Sequence, residues 1–205
     1  MIFGPKAASN LRMQLRCILL GLIPFCIANP AISQALRVQA KPMRVRPELL
    51  CVLCSLTVTA TPGLVSFTLV KGGVALGSAP VVITTTLNGV SLLNSVSLYG
   101  YFSTAAAALT DGAATPDNIP SSAVLGQDTS GSPTSYTAFT QSQPVGTPGA
   151  SLLIYTTTSF LTLGCAPTTA SCRTDSLNLE INLSALPQLP AGTYTGTLIL
   201  VAQAF

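Results

Sequence analysis

From Cys54 to Phe205 the chain falls into short runs of Thr, Val, Ile, Leu, Tyr and Phe split by Gly, Pro, Asn and Ser. This punctuation limits the possible folds more than any other feature. The runs are "CSLTVTA", "LVSFTLV", "PVVITTTLN", "SVSLYGYF", "SAVLGQ", "TSYTAFTQ", "SLLIYTTTSF", "SLNLEINLS" and the C-terminal "TYTGTLILVAQAF". β-Branched and aromatic segments this short, at this spacing, predict a sandwich or barrel rather than helices on a sheet. Alternation gives each strand two faces: Leu56, Val58 and Ala60 oppose Thr57 and Thr59, and Leu177, Leu179, Ile181 and Leu183 oppose Ser176, Asn178, Glu180 and Asn182. Thr61–Gly63, Lys71–Gly73 and Asn88-Gly89 read as turns, the last suited to a tight hairpin, so the pairing is expected to be mostly antiparallel. The one helix-like stretch, "TAAAALTDG", is too short to stand as more than a turn or small helix. From Asp111 to Gly149, Gly, Pro, Ser and Thr dominate, which predicts a long decorated hairpin or loop. No fixed-period repeat suggests a solenoid or propeller.

The N-terminus has a different character. Lys6, Arg12 and Arg16 precede an apolar run from Cys17 to Ala28, interrupted by Pro24 and followed by Ser33, Gln34 and Ala35. That order is a secretory signal, residues 1–35, with cleavage expected after Ala35. A retained anchor is the lesser alternative, because a span needs about 20 apolar residues. A lipoprotein is disfavoured by Ile23, Pro24 and Phe25 ahead of Cys26. An N-terminal extension, 36–50, and a β domain, 51–205, remain. The net charge of +3 then leaves with the leader: Arg37, Lys41, Arg44, Arg46, Lys71 and Arg173 balance Glu48, Asp111, Asp117, Asp128, Asp175 and Glu180. A neutral body has no field to steer it onto nucleic acid or an anionic membrane. The expected destination is outside the cell or on its surface, reached through the periplasm in a Gram-negative cell, with no membrane insertion after cleavage.

Four cysteines follow the expected cleavage point: Cys51, Cys54, Cys165 and Cys172. In an exported chain an even number points to disulfides, of which three connectivities are open. Cys165 with Cys172 is favoured because the intervening "APTTAS" contains Pro167 and closes a short loop; cross-pairing with Cys51 and Cys54 is the alternative. A redox role for "CVLC" lacks the helix N-terminus that would lower a thiol pKa, and a four-cysteine zinc site is a minor reading.

The chain has no His, which removes the usual Ser-His-Asp triad and every imidazole metal ligand. Asp111, Asp117 and Asp128 read as turn caps, while Asp175 and Glu180 lie on or beside a strand. No fixed spacing among them marks a glycosidase pair or a calcium loop. No catalytic residue, metal or cofactor is therefore expected. Tyr99, Tyr101, Phe102, Tyr136, Phe139 and Tyr155 offer a sugar-stacking platform, although strand aromatics are more often core.

The ending "LPAGTYTGTLILVAQAF" resembles the final strand of secreted bacterial immunoglobulin-like subunits, the spore coat protein U family and the chaperone-usher pilins. The resemblance implies an immunoglobulin-like antiparallel β-sandwich of about 7–9 strands. The signal, the strand pattern and the absence of catalytic motifs lead to a non-enzymatic structural or adhesive surface subunit, pilin-like or coat-like; the alternative, on the aromatics and the polar segment 111–149, is a secreted carbohydrate-binding module or a glycan-active enzyme of unusual site. The resemblance also implies that the last strand borders a groove open to self-assembly, or to a strand donated by a partner subunit or chaperone. Thr193, Tyr194, Thr195, Leu198, Leu200 and Phe205 would carry that pairing.

Overall fold

The computed structural model describes residues 32–41, 55–88, 95–157 and 170–204. The chain divides into a unit Met1–Pro30, outside the described residues, and a unit Ala31–Phe205. Of the expected 1–35 leader only the last four residues are therefore described. Cys51, Cys54, Cys165 and Phe205 also lie outside the described residues. No helix among the described residues is long and apolar enough to cross a membrane.

In chain order the strands are β1 (Ile32–Ala40), β2 (Ser55–Thr61), β3 (Leu64–Leu69), β4 (Val74–Leu76), β5 (Val81–Asn88) and β6 (Val96–Tyr101). The short β7 (Leu109–Thr110) and β8 (Asn118–Ile119) come next, then a single 3-10 turn at Ser121–Ala123. β9 (Val124–Asp128), β10 (Thr137–Ala138), β11 (Ser151–Thr157), β12 (Ala170–Asn182) and β13 (Thr195–Ala204) complete the order. They form two sheets. The first runs β11-β6-β13-β1-β3, with the β7–β8 pair against the start of β13; the second runs β10-β9-β12-β5-β2, with β4 on β12. Among the described residues all strand pairing is antiparallel except that of β1 with β13. The protein is an all-β sandwich.

Alternation places the core as the sequence suggests. Leu177, Leu179 and Ile181 of β12 and Leu198, Leu200 and Ala202 of β13 are buried, together with Leu36 of β1, Leu98 of β6 and Ile83 of β5. Burying each such leucine or isoleucine contributes about 1.5–3 kcal/mol. Phe102 and Phe139 meet edge to face, with ring centroids 5.2 Å apart.

The turns behave differently from expectation. β2 lies in the second sheet and β3 in the first, so Thr61–Gly63 carries the chain across the sandwich. The same holds for Lys71–Gly73 between β3 and β4, and for the connection that leaves Asn88 toward β6. At the second of these, Gly73 N–H donates to the Val70 carbonyl at 2.9 Å and Gly72 takes a positive φ of 61°, a backbone state that favours glycine. Neither of the first two closes a hairpin, and Gly89 of the third lies outside the described residues. A tight turn reverses the chain, but which sheet receives the next strand depends on whose edge is free.

Within 111–149 the chain forms β8, β9, β10 and the 3-10 turn, and Phe139 is fully buried. This stretch builds one side of the second sheet. Asp111 caps its own turn, its Oδ1 accepting from Ala113 N–H at 3.1 Å and Asp117 N–H at 3.2 Å.

The C-terminal strand is internal to the first sheet. Thr195–Leu200 pair with Ala35–Ala40 of β1 on one side, while Ile199–Ala204 pair with β6 and Thr195–Gly196 with β7 on the other. A Cβ at Gly196 would collide with the Ala108 carbonyl oxygen, so only glycine lets the segment before β7 approach here. Tyr194, fully buried, donates from its hydroxyl to the Pro190 carbonyl at 3.2 Å, which fixes the entry into β13.

Candidate functional site: the two faces of β12

β12 is the central strand of the second sheet, and its two faces carry different chemistry because side chains alternate along a strand. Its even-numbered residues point outward. Across the register, Thr57 of β2, Thr86 of β5 and Cys172 form one row; Thr59, Thr84 and Thr174 the next; Thr61, Val82 and Ser176 a third. Rows repeat about every 6.8 Å along the strands and columns about every 4.8 Å across them. The hydroxyl of Thr57 donates to the Thr86 carbonyl at 3.4 Å, and that of Thr59 to the Thr84 carbonyl at 3.5 Å. The same hydrogen bond recurs at two successive rows of an array of methyl and hydroxyl groups. Val82, 44% exposed, continues it.

Further along the same face, Asn178 Nδ2 donates to Gln127 Oε1 at 3.5 Å and Gln127 Nε2 donates to the Thr134 carbonyl at 2.8 Å. Burial, and after it the charge of Glu180, raises the Tyr136 hydroxyl pKa. Among the described residues, Glu180 is the single charged side chain at an outward position of β2, β4, β5, β9, β10 and β12.

The odd-numbered residues of β12 point inward and include Arg173 and Asp175. Arg173 Nε donates to Asp175 Oδ1 at 2.8 Å and Oδ2 at 3.1 Å, and Nη2 lies 2.7 Å from Oδ1. Nη2 also donates to the Ser130 carbonyl at 3.2 Å. The guanidinium carbon sits 4.4 Å from the centre of the Tyr155 ring, which belongs to β11 of the first sheet. Asp128, at the end of β9, accepts at Oδ1 from Ser130 N–H at 2.8 Å. Both aspartates are fully buried, at 0% exposure.

Burial pushes the Asp175 carboxyl up to about 6; the bonds from Arg173 pull it down and neighbouring Asp128 pushes it up. The Arg173 pKa is raised, chiefly by its bond to Asp175. Burial pushes the Tyr155 hydroxyl up to about 12. A Cβ at Gly131 would stand 2.7 Å from both Arg173 Nη2 and Asp128 Oδ2, so the loop after β9 closes over this group through a glycine.

A pair of neighbouring carboxyls is the raw material of acid–base chemistry, but these two have no exposed surface and meet no solute. The group ties β9, β12 and the 129–131 loop to the first sheet. No cluster of three metal-type side chains exists among the described residues.

The sequence treats Asp128 as a turn cap and Asp175 as a strand residue, and misses that both are interior. The Arg173-x-Asp175 spacing, which puts opposite charges on one face of a strand, is the signal that would have found the pair. Of the residues expected to carry strand pairing, Thr193 and Thr195 are exposed, and Tyr194, Leu198 and Leu200 are fully buried. Cys172 lies on the outer face of β12 opposite Thr86. The aromatics do not form a platform: Tyr99, Phe102, Phe139 and Tyr155 are buried, and Tyr101 and Tyr136 are half-buried. Compared with known proteins, the chain matches no family model and no curated protein.

Proposed function

We propose that this chain is an exported, non-enzymatic structural or adhesive subunit, pilin-like or coat-like in role, that makes its contacts through the outer face of the second sheet. The observation that carries the reading is the uncharged array of Thr57, Thr59, Thr84, Thr86 and Thr174, in register over three strands. A neutral, ordered surface docks on another without the cost of stripping water from charges. Self-assembly is the partner relation it favours. A strand donated by a partner subunit or chaperone would have to displace β1, which occupies the side of β13 toward β3.

Thr84→Lys, a charge at the middle of the array, tests this. The parent should form assemblies detectable by sedimentation, and the variant should stay monomeric with an unchanged fold. Assemblies that persist in the variant would sink the reading.

Two disulfides belong to the same proposal. Cys172 being disulfide-bonded supports it, and Cys165 is the favoured partner for the short loop it would close. Protein taken from an oxidising compartment should resist alkylation; four free thiols, or one zinc per chain, would overturn the pairing.

A glycan-binding reading is favoured only by half-buried Tyr136, which immediately precedes β10 and feels the charge of outward-facing Glu180. Saturable binding on a glycan array that Tyr136→Ala abolishes would establish it. Phe139, being core, has no part in it.

A further inference from the structure

The export reading places a proteolytic cut after Ala35, where Ser33 and Ala35 supply the small residues a signal peptidase selects. In the folded domain that bond lies inside β1. Ile32, Ser33 and Gln34 pair with Leu69, Thr68 and Phe67 of β3, and Ala35 pairs with both Ser66 and Thr195. Gln34 is 0% exposed; its Oε1 accepts from Tyr194 N–H at 2.8 Å and its Nε2 donates to the Gly192 carbonyl at 3.3 Å. A cut after Ala35 would remove nearly half of β1 and leave a buried N–H at the entry to β13 without its acceptor.

A second pair of small residues lies upstream. Cys26 and Ala28 stand third and first before the Ala28-Asn29 bond, at the end of the apolar run, with Pro24 interrupting that run just ahead. We infer that the leader is removed between Ala28 and Asn29, so that all of β1 belongs to the mature protein. The inference rests on the export reading above. Asn29, Pro30 and Ala31 then form a short terminus ahead of the paired backbone, where chain ends are tolerated.

The test is the intact mass of the exported protein after expression of the full 205-residue chain in a bacterium. A chain beginning at Asn29 is expected. One beginning at Leu36 would overturn the inference and leave export standing, whereas a chain that is never exported or cut would overturn the export reading along with it. Ala28→Leu should accumulate the precursor and Ala35→Leu should be processed normally; the reverse pattern would refute the site. Gln34→Ala supplies an independent readout. If Gln34 is in the mature protein, the exported variant melts several degrees lower than the parent, and if it has been cut away the two melt alike.

Discussion

The inner and outer faces of β12 invert the usual partition of charge. Outside, Thr174 and Ser176 continue a neutral array; inside, Arg173 and Asp175 join Asp128 between the sheets. Charged side chains are seldom fully buried unless paired, because leaving water costs several kcal/mol per ion. Here the cost is offset by the ion pair, the bond to the Ser130 carbonyl and the stacking on Tyr155. Non-directional apolar packing tolerates sliding between sheets, whereas the fork of a guanidinium fixes one arrangement. The outer face has hydroxyl and amide hydrogen bonds in place of this charged fork, and its uniformity suits it to contact.

The largest effect separating the two faces should come from Arg173→Ala, which strands two buried carboxyls. We expect a loss of about 3–5 kcal/mol at neutral pH, read as a shift in the urea midpoint. The loss should shrink in mild acid, because a protonated Asp175 needs no cation. A variant as stable as the parent at pH 7 would mean that the cluster is ornamental.

Gly131→Ala should cost about 1–3 kcal/mol, since its methyl group meets Arg173 Nη2 and Asp128 Oδ2 and the loop must shift. Gly149, where a Cβ meets nothing within 4 Å but φ is 73°, gives a control for backbone strain alone.

The pH dependence should be smaller. Asp175 titrates near 6 in the folded domain against about 3.9 in an unfolded chain. The folded state therefore holds its proton more tightly between those values. Its contribution to stability is fully present below about pH 4 and is lost as pH rises through about 6. Acidification from pH 7 to pH 5 should raise stability by about 1 kcal/mol after solvent screening, and Asp175→Asn should flatten the profile. Arg173, Asp128 and Tyr155 are the titratable groups facing Asp175.

The smallest effect belongs to the outer face. Thr84→Lys should change stability by no more than about 0.5 kcal/mol while abolishing association. A stability loss comparable to that of Arg173→Ala would show that the array holds the sheet together rather than making contacts.

Much of the architecture is legible in the sequence. The alternation of Leu177, Leu179 and Ile181 with Asn178 and Glu180 specifies a half-buried strand, and the structure places those leucines in the core. In β13, Leu198, Leu200, Ala202 and Ala204 are likewise buried at every second position. The connections were not legible. Lys71–Gly73 is a turn by composition, and nothing local states that β4 joins β12 while β3 joins β1. The polar cluster was hidden for the same reason. Asp128 and Arg173 are 45 positions apart, and only the pairing of Asp128 with Leu177 brings them together.

By itself the sequence determined the class of fold, the two-faced character of its strands and the neutrality of residues 36–205, because periodicity and composition act locally and survive any arrangement of strands. Only the tertiary structure decided that β13 is an internal strand flanked by β1 and β6, that the turns after β2 and β3 cross between sheets, and that Asp128 and Asp175 lie inside beside half-buried Arg173 while Thr residues align outside. Those outcomes depend on which edges pair and in which register. Pairing is settled by the burial of the whole core at once, a quantity that no short segment contains.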